Sequence, residues 1–113
     1  MDAELDLSKL GELEELLGTE RSVIVRTLIT ELEAAVARID RGLAAGDFAE
    51  VAAAAHAARN SALMIDAQPL LRVLKQLETC ARHDDADGAS EARAGLAGVW
   101  PSLRSKLELA AGA

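Results

Sequence analysis

Apolar residues recur at three- and four-residue spacing through most of the chain, and breaks in that pattern mark five segments. Ser8 can cap a short first segment over 9–17, where Leu10, Leu13, Leu16 and Leu17 share a helical face and Gly18 stops it. A long helix is predicted after Thr19, with Val25, Leu28, Ile29, Leu32, Val36, Ile39 and Leu43 on one stripe and Arg or Glu elsewhere. It ends at Gly46. Asp47 and Glu50 stand at the spacing of a capping box, in which each side chain satisfies a backbone N–H at the helix start. The helix they open runs from about 48 to 65, with Phe48, Val51, Ala55, Ala58 and Ala62 as its buried line. That face is nearly all alanine, so neighbouring helices can approach it closely.

Pro69 suits the first turn of the next helix, where its missing N–H costs nothing, and Leu70, Leu74, Leu77 and Ala81 form the inward stripe. A polar stretch over 83–88 separates it from a last segment carrying Leu96, Val99, Leu103, Leu107 and Ala110, which Pro101 should kink or split. Four amphipathic helices with short turns, preceded by a small helix, predict an all-α antiparallel up-down four-helix bundle. Residues 1–113 read as one domain.

Composition supports this and removes alternatives. Ala occurs 24 times and Leu 18 times against four Ile and six Val, whereas strands favour β-branched and aromatic side chains. Nineteen acidic residues against twelve basic ones leave a net charge of −7, which repels phosphate backbones and anionic lipid and argues against nucleic-acid or membrane partners. Cys80 is the sole cysteine, so no intramolecular disulfide or cysteine zinc cluster can form. An acidic start and the lack of any apolar run near the ~18 residues of a bilayer span predict a soluble, cytoplasmic protein.

The sequence has no phosphate-binding glycine loop, dinucleotide fingerprint, HExxH or GxSxG. His56 and His83 lie on different elements without a ligand set around them, so no metal site is predicted. The unusual position is His56, in the middle of the alanine-rich helix. His56, Arg59, Asn60 and Leu63 line one strip beside the buried line. An imidazole at the core edge, flanked by Ala49, Ala52, Ala53 and Ala57 and one turn from a guanidinium, is a reachable nucleophile beside an anion-binding group. Taken alone, the position reads first as a partly buried helix residue without a task.

From His56 the chain reads His-Ala-Ala-Arg-Asn-Ser-Ala-Leu-Met-Ile-Asp-Ala-Gln-Pro-Leu, with Leu77-Glu78 in the next helix. This resembles the histidine-containing phosphotransfer (HPt) domains of two-component phosphorelays, whose pattern is His-x-Leu-Lys-Gly, a later Gly-Ala, then Leu and a Leu-Glu pair. His56 takes the place of the phosphoryl-accepting histidine, Arg59 that of the Lys, Ala67 that of the Ala, and Leu70 and Leu77-Glu78 those of the later residues. Leu5-Asp6 to Leu10 and Ala44-Ala45-Gly46-Asp47 resemble the family's opening and its turn before the histidine helix. The chain departs from the pattern at Asn60, where the family usually has Gly, at Ala58 for Leu and at Asp66 for the second Gly. Asn60 could crowd an incoming partner or hydrogen-bond the phosphoryl group.

The resemblance implies a carrier that does not use ATP itself: His56 takes a phosphoryl group from one receiver-domain aspartate and gives it to another. A histidine, with its ordinary pKa near ~6.5, offers a neutral ring nitrogen at cellular pH without a strong base. Arg59 would hold phosphoryl oxygens bidentately. Glu78 would accept from Nδ1 and leave Nε2 nucleophilic, and Arg82 would face the same site; the alternative for Glu78 and Arg82 is a surface i,i+4 ion pair. No cofactor is expected, since the receiver's acidic pocket would bring magnesium. Expected partners are receiver domains and a hybrid histidine kinase, docked by a monomer on Ala49, Ala52, Ala53 and Leu63. A noncatalytic HPt-like module that binds a receiver or kinase without carrying phosphate is the second reading, and Asn60 favours it. Ser61 reads as an ordinary polar helix residue.

Overall fold

The computed structural model describes Glu15 and residues 20–112, so the predicted short helix over 9–17 lies outside the described residues apart from Glu15, which is helical. Four helices follow: α1 (Arg21–Ala45), α2 (Phe48–Met64), α3 (Gln68–Arg82) and α4 (Ala86–Gly112). No strand occurs among the described residues. Each helix packs on its neighbours in the chain, and α4 closes back on α1.

The predicted stripes meet in one core. Val25, Leu28, Leu32 and Ile39 of α1 join Val51 of α2, Leu70, Leu74 and Leu77 of α3, and Leu96, Leu103 and Leu107 of α4, all buried. Each such side chain contributes roughly 1.5–3 kcal/mol when withdrawn from water. Alanines replace large residues where α2 meets its neighbours: Ala54, Ala55 and Ala62 have no exposed surface. The backbone of α1 comes close at Gly42, where an added Cβ would stand 2.7 Å from a Val51 methyl and 3.2 Å from the Asp47 carbonyl oxygen.

The turn into α2 has a definite mechanism. Gly46 adopts φ 69°, and its N–H and that of Asp47 bond back to the carbonyls of Leu43 and Gly42, a Schellman ending that glycine reaches without strain. Asp47 then accepts from the Glu50 N–H at 3.1 Å and caps α2. Only this half of the expected capping box forms. The Glu50 carboxylate turns instead to Arg38 of α1, 2.6 Å away, because a charged donor on the neighbouring helix is the stronger partner.

Two further expectations are corrected. The polar stretch does not run on to residue 88: α4 starts at Ala86, since Asp85 accepts from the Gly88 N–H at 2.9 Å and acts as the cap. Pro101 does not split the last helix, which continues to Gly112. The carbonyl that Pro101 leaves without a donor belongs to Ala97, one turn back, and both residues are exposed, so water can satisfy it. Salt bridges between Arg93 and Asp40 and between Arg104 and Glu33 tie α4 to α1.

Candidate functional site

His56 stands halfway along α2, with its side chain 58 % exposed. Exposure follows from helical phase: Ala55 and Ala58 turn inward, while His56, Ala57 and Asn60 turn outward. Leu77 and Glu78 of α3 follow the same logic, except that Glu78 is buried despite its charge. Burial of a carboxylate requires partners, and Glu78 has three. Nδ1 of His56 lies 3.1 Å from Oε2, Nη1 of Arg59 donates to Oε1 at 2.8 Å, and Arg82 donates to Oε2 through Nε at 3.0 Å and Nη2 at 2.7 Å.

Burial alone pushes the Glu78 carboxyl upward, but the hydrogen bonds from Arg59 and Arg82, with the charge of Arg59 and that of His56 when its ring is protonated, outweigh it and hold the group at about 2. An ionised carboxylate can only accept a hydrogen bond. The His56 contact therefore puts the proton on Nδ1, and in the neutral ring the lone pair is left on Nε2, which has no hydrogen-bond partner among the described residues. The chemistry available is that of an exposed neutral nucleophile whose tautomer is set by a buried anion.

Arg59 is half-buried against Glu78, and its Nε is buried without a hydrogen-bond partner. Asn60 is exposed next to His56 on the α2 surface. Glu78 and Arg82 are thus more than a surface i,i+4 pair, because the carboxylate is withdrawn into the α2–α3 interface. Of the four predicted docking residues, Ala49, Ala53 and Leu63 are exposed. Ala52 is not: at 6 % exposure it is part of the core, since it lies one turn before Ala55 on the inward face. It forms the floor of a depression between α2 and α3 lined by Phe48, Ala49, Ala53, Ala81, Arg82 and Asp84.

A second depression lies between α1 and α2, bounded by Glu31, Arg38, Ala57 and Ser61. Ser61 is buried, and its hydroxyl donates to Glu31 at 3.0 Å, so it joins the two helices where the sequence reading gave it no such part. The signal was its spacing: Ala54, Ala58 and Ser61 follow one another at helical intervals along a buried line. Among the described residues no group of three or more His, Cys, Asp or Glu side chains is arranged to hold a metal ion, and no helix is long and apolar enough to cross a membrane.

Among known proteins, no curated protein and no solved structure matches the chain. The family model of the Hpt domain matches residues 23–111. That match takes in all of α2, α3 and the turns around them, together with nearly all of α1 and α4, and so includes His56, Arg59, Glu78 and Arg82. The chain belongs to the Hpt domain family, the phosphotransfer domains of two-component signalling.

Proposed function

We propose that His56 carries a phosphoryl group between receiver-domain aspartates. The observation that supports this reading is the bond from Nδ1 to buried Glu78, which leaves the exposed Nε2 as the nucleophile. In the transfer, the Nε2 lone pair attacks phosphorus while the bond to the aspartyl oxygen breaks, and the aspartate leaves as a carboxylate. Such a loose transition state asks the protein for alignment and for charge on the equatorial oxygens. Glu78 supplies alignment. Arg59, with N–H groups beyond the one given to Glu78, supplies charge. Magnesium arrives with the receiver, and no cofactor resides on this chain.

The receiver docks over Ala49, Ala53 and Leu63, with Ala52 beneath as floor rather than contact, and a hybrid histidine kinase is the upstream source. The protein acts as a cytoplasmic monomer. Two- and three-residue turns and the closed ring of helix contacts support an up-down antiparallel bundle. We read residues 1–113 as one domain.

The deciding experiment incubates the protein with phosphorylated receivers. An acid-labile, alkali-stable label that disappears in His56→Gln is expected. Absence of label with every receiver tried would defeat the carrier reading. It would leave the second one, a binding module without phosphotransfer, which the exposed Asn60 at the usual glycine position favours.

A further inference from the structure

The two oxygens of Glu78 carry unequal loads. Oε1 accepts from Arg59 alone, whereas Oε2 lies 3.0 and 2.7 Å from Nε and Nη2 of Arg82 and 3.1 Å from Nδ1 of His56. A carboxylate oxygen has about two lone-pair directions. Three donors must therefore divide its accepting capacity, and a charged guanidinium with two N–H groups competes better than a neutral ring N–H. The contact to His56 is the longest of the three.

We infer that Arg82 is a positioning residue: by occupying Oε2 it weakens the hold of Glu78 on the Nδ1 proton of His56. Among the described residues no other charged side chain is bonded to Oε2. Arg59, on the same helix, is bonded to Oε1. Glu31 and Arg38 of α1, on the opposite flank, are bonded to Ser61 and Glu50. The fourth helix packs on α1 and α3. Arg82 itself is 59 % exposed, so its guanidinium can be removed without opening the core.

The consequence for phosphotransfer rests on the carrier reading above. A ring phosphorylated on Nε2 and protonated on Nδ1 is cationic. When the receiver's carboxylate oxygen takes the phosphoryl group, the N–P electron pair returns to Nε2 and the ring leaves neutral, with its proton still on Nδ1. Without that proton the same step must expel an anionic imidazolate, which is slower. By loosening the proton, Arg82 prolongs the life of the phosphohistidine near neutral pH.

The test reads the unphosphorylated ring of the full chain, by following His56 through a pH titration with nitrogen-15 NMR. In Arg82→Gln the midpoint should rise by about half a pH unit or more, and that rise should shrink to less than half when Glu78→Gln is also present. An unchanged or lowered midpoint would overturn the inference. So would an undiminished rise in the double variant, which would mean that Arg82 acts through space rather than through Oε2. Arg82→Lys keeps the charge with a single donor atom and should fall between the two; full restoration of the parent value would assign the effect to charge alone and also overturn it. Absence of phosphotransfer to the parent protein, with the expected midpoints intact, would defeat the carrier reading and support this one.

Discussion

Oε2 of Glu78 lies 3.1 Å from Nδ1 of His56, although the two residues are 22 positions apart and belong to different helices. The contact crosses the α2–α3 interface, so the packing of these helices is also what orients the imidazole. A shift of α3 by one turn would carry Glu78 away by about 5.4 Å and leave the ring without its acceptor.

Glu78→Gln should slow phosphotransfer through His56 by about ten- to a hundredfold, the worth of a charge-assisted hydrogen bond of ~1.5–3 kcal/mol. An amide can present its oxygen or its nitrogen to Nδ1, so it no longer dictates the tautomer. Initial rates of label transfer from a phosphorylated receiver measure this; rates equal to the parent's would show that orientation by Glu78 is unimportant.

The same carboxylate makes stability depend on acid. Its folded-state pKa of about 2 lies below the ordinary 4.5, so its contribution is complete above about 4.5 and is lost as pH falls toward 2. The shift corresponds to on the order of 3 kcal/mol, less what solvent screening removes at the exposed Arg82, so about 2 kcal/mol is expected. Urea unfolding between pH 6 and pH 2.5 should show this loss, and Glu78→Gln should flatten that part of the curve.

Two glycines should respond in opposite directions to alanine. Gly98→Ala in α4 meets nothing within 4 Å and should stabilise by roughly 0.5–1 kcal/mol through helix propensity. Gly42→Ala gains the same propensity but forces a Cβ to 2.7 Å from Val51 and 3.3 Å from its backbone nitrogen. Overpacking of about 1–3 kcal/mol outweighs it, giving net destabilisation. Thermal unfolding of the pair decides the matter, and a stabilised Gly42→Ala would mean that α1 and α2 separate readily.

Asn60→Gly should accelerate transfer. The Asn60 side chain is exposed beside His56 and makes no hydrogen bond among the described residues, so its removal clears the path to Nε2. The helix should lose about 0.5 kcal/mol. Stopped-flow transfer rates distinguish this from the opposite case, in which the amide holds the phosphoryl group and its loss slows the reaction.

Much of this was legible in the order of residues. The stripes through Leu28, Leu32 and Ile39, through Leu70, Leu74 and Leu77, and through Leu96, Leu103 and Leu107 are all buried, because helical phase assigns faces without reference to any partner. The Gly46-Asp47 turn was equally local. Errors arose where a side chain had a choice. Glu50 could bond its own helix start or Arg38, and Ala52 could line a surface or a core, since a methyl group suits both. The effect of Pro101 depended on whether Ala97 faces water, which the packing of α4 settles.

His56 in mid-helix, one turn from Arg59, is a matter of spacing, and spacing follows from covalent order and a 3.6-residue repeat. The state of its ring is not. Glu78 reaches Nδ1 only because α3 lies against α2, and it is ionised there only because Arg59 from one helix and Arg82 from the other converge on it. Hydrogen bonds act over about 3 Å and buried charge is costly unless paired. Helix docking, which brings distant residues within that range, therefore decides which nitrogen of His56 faces a partner.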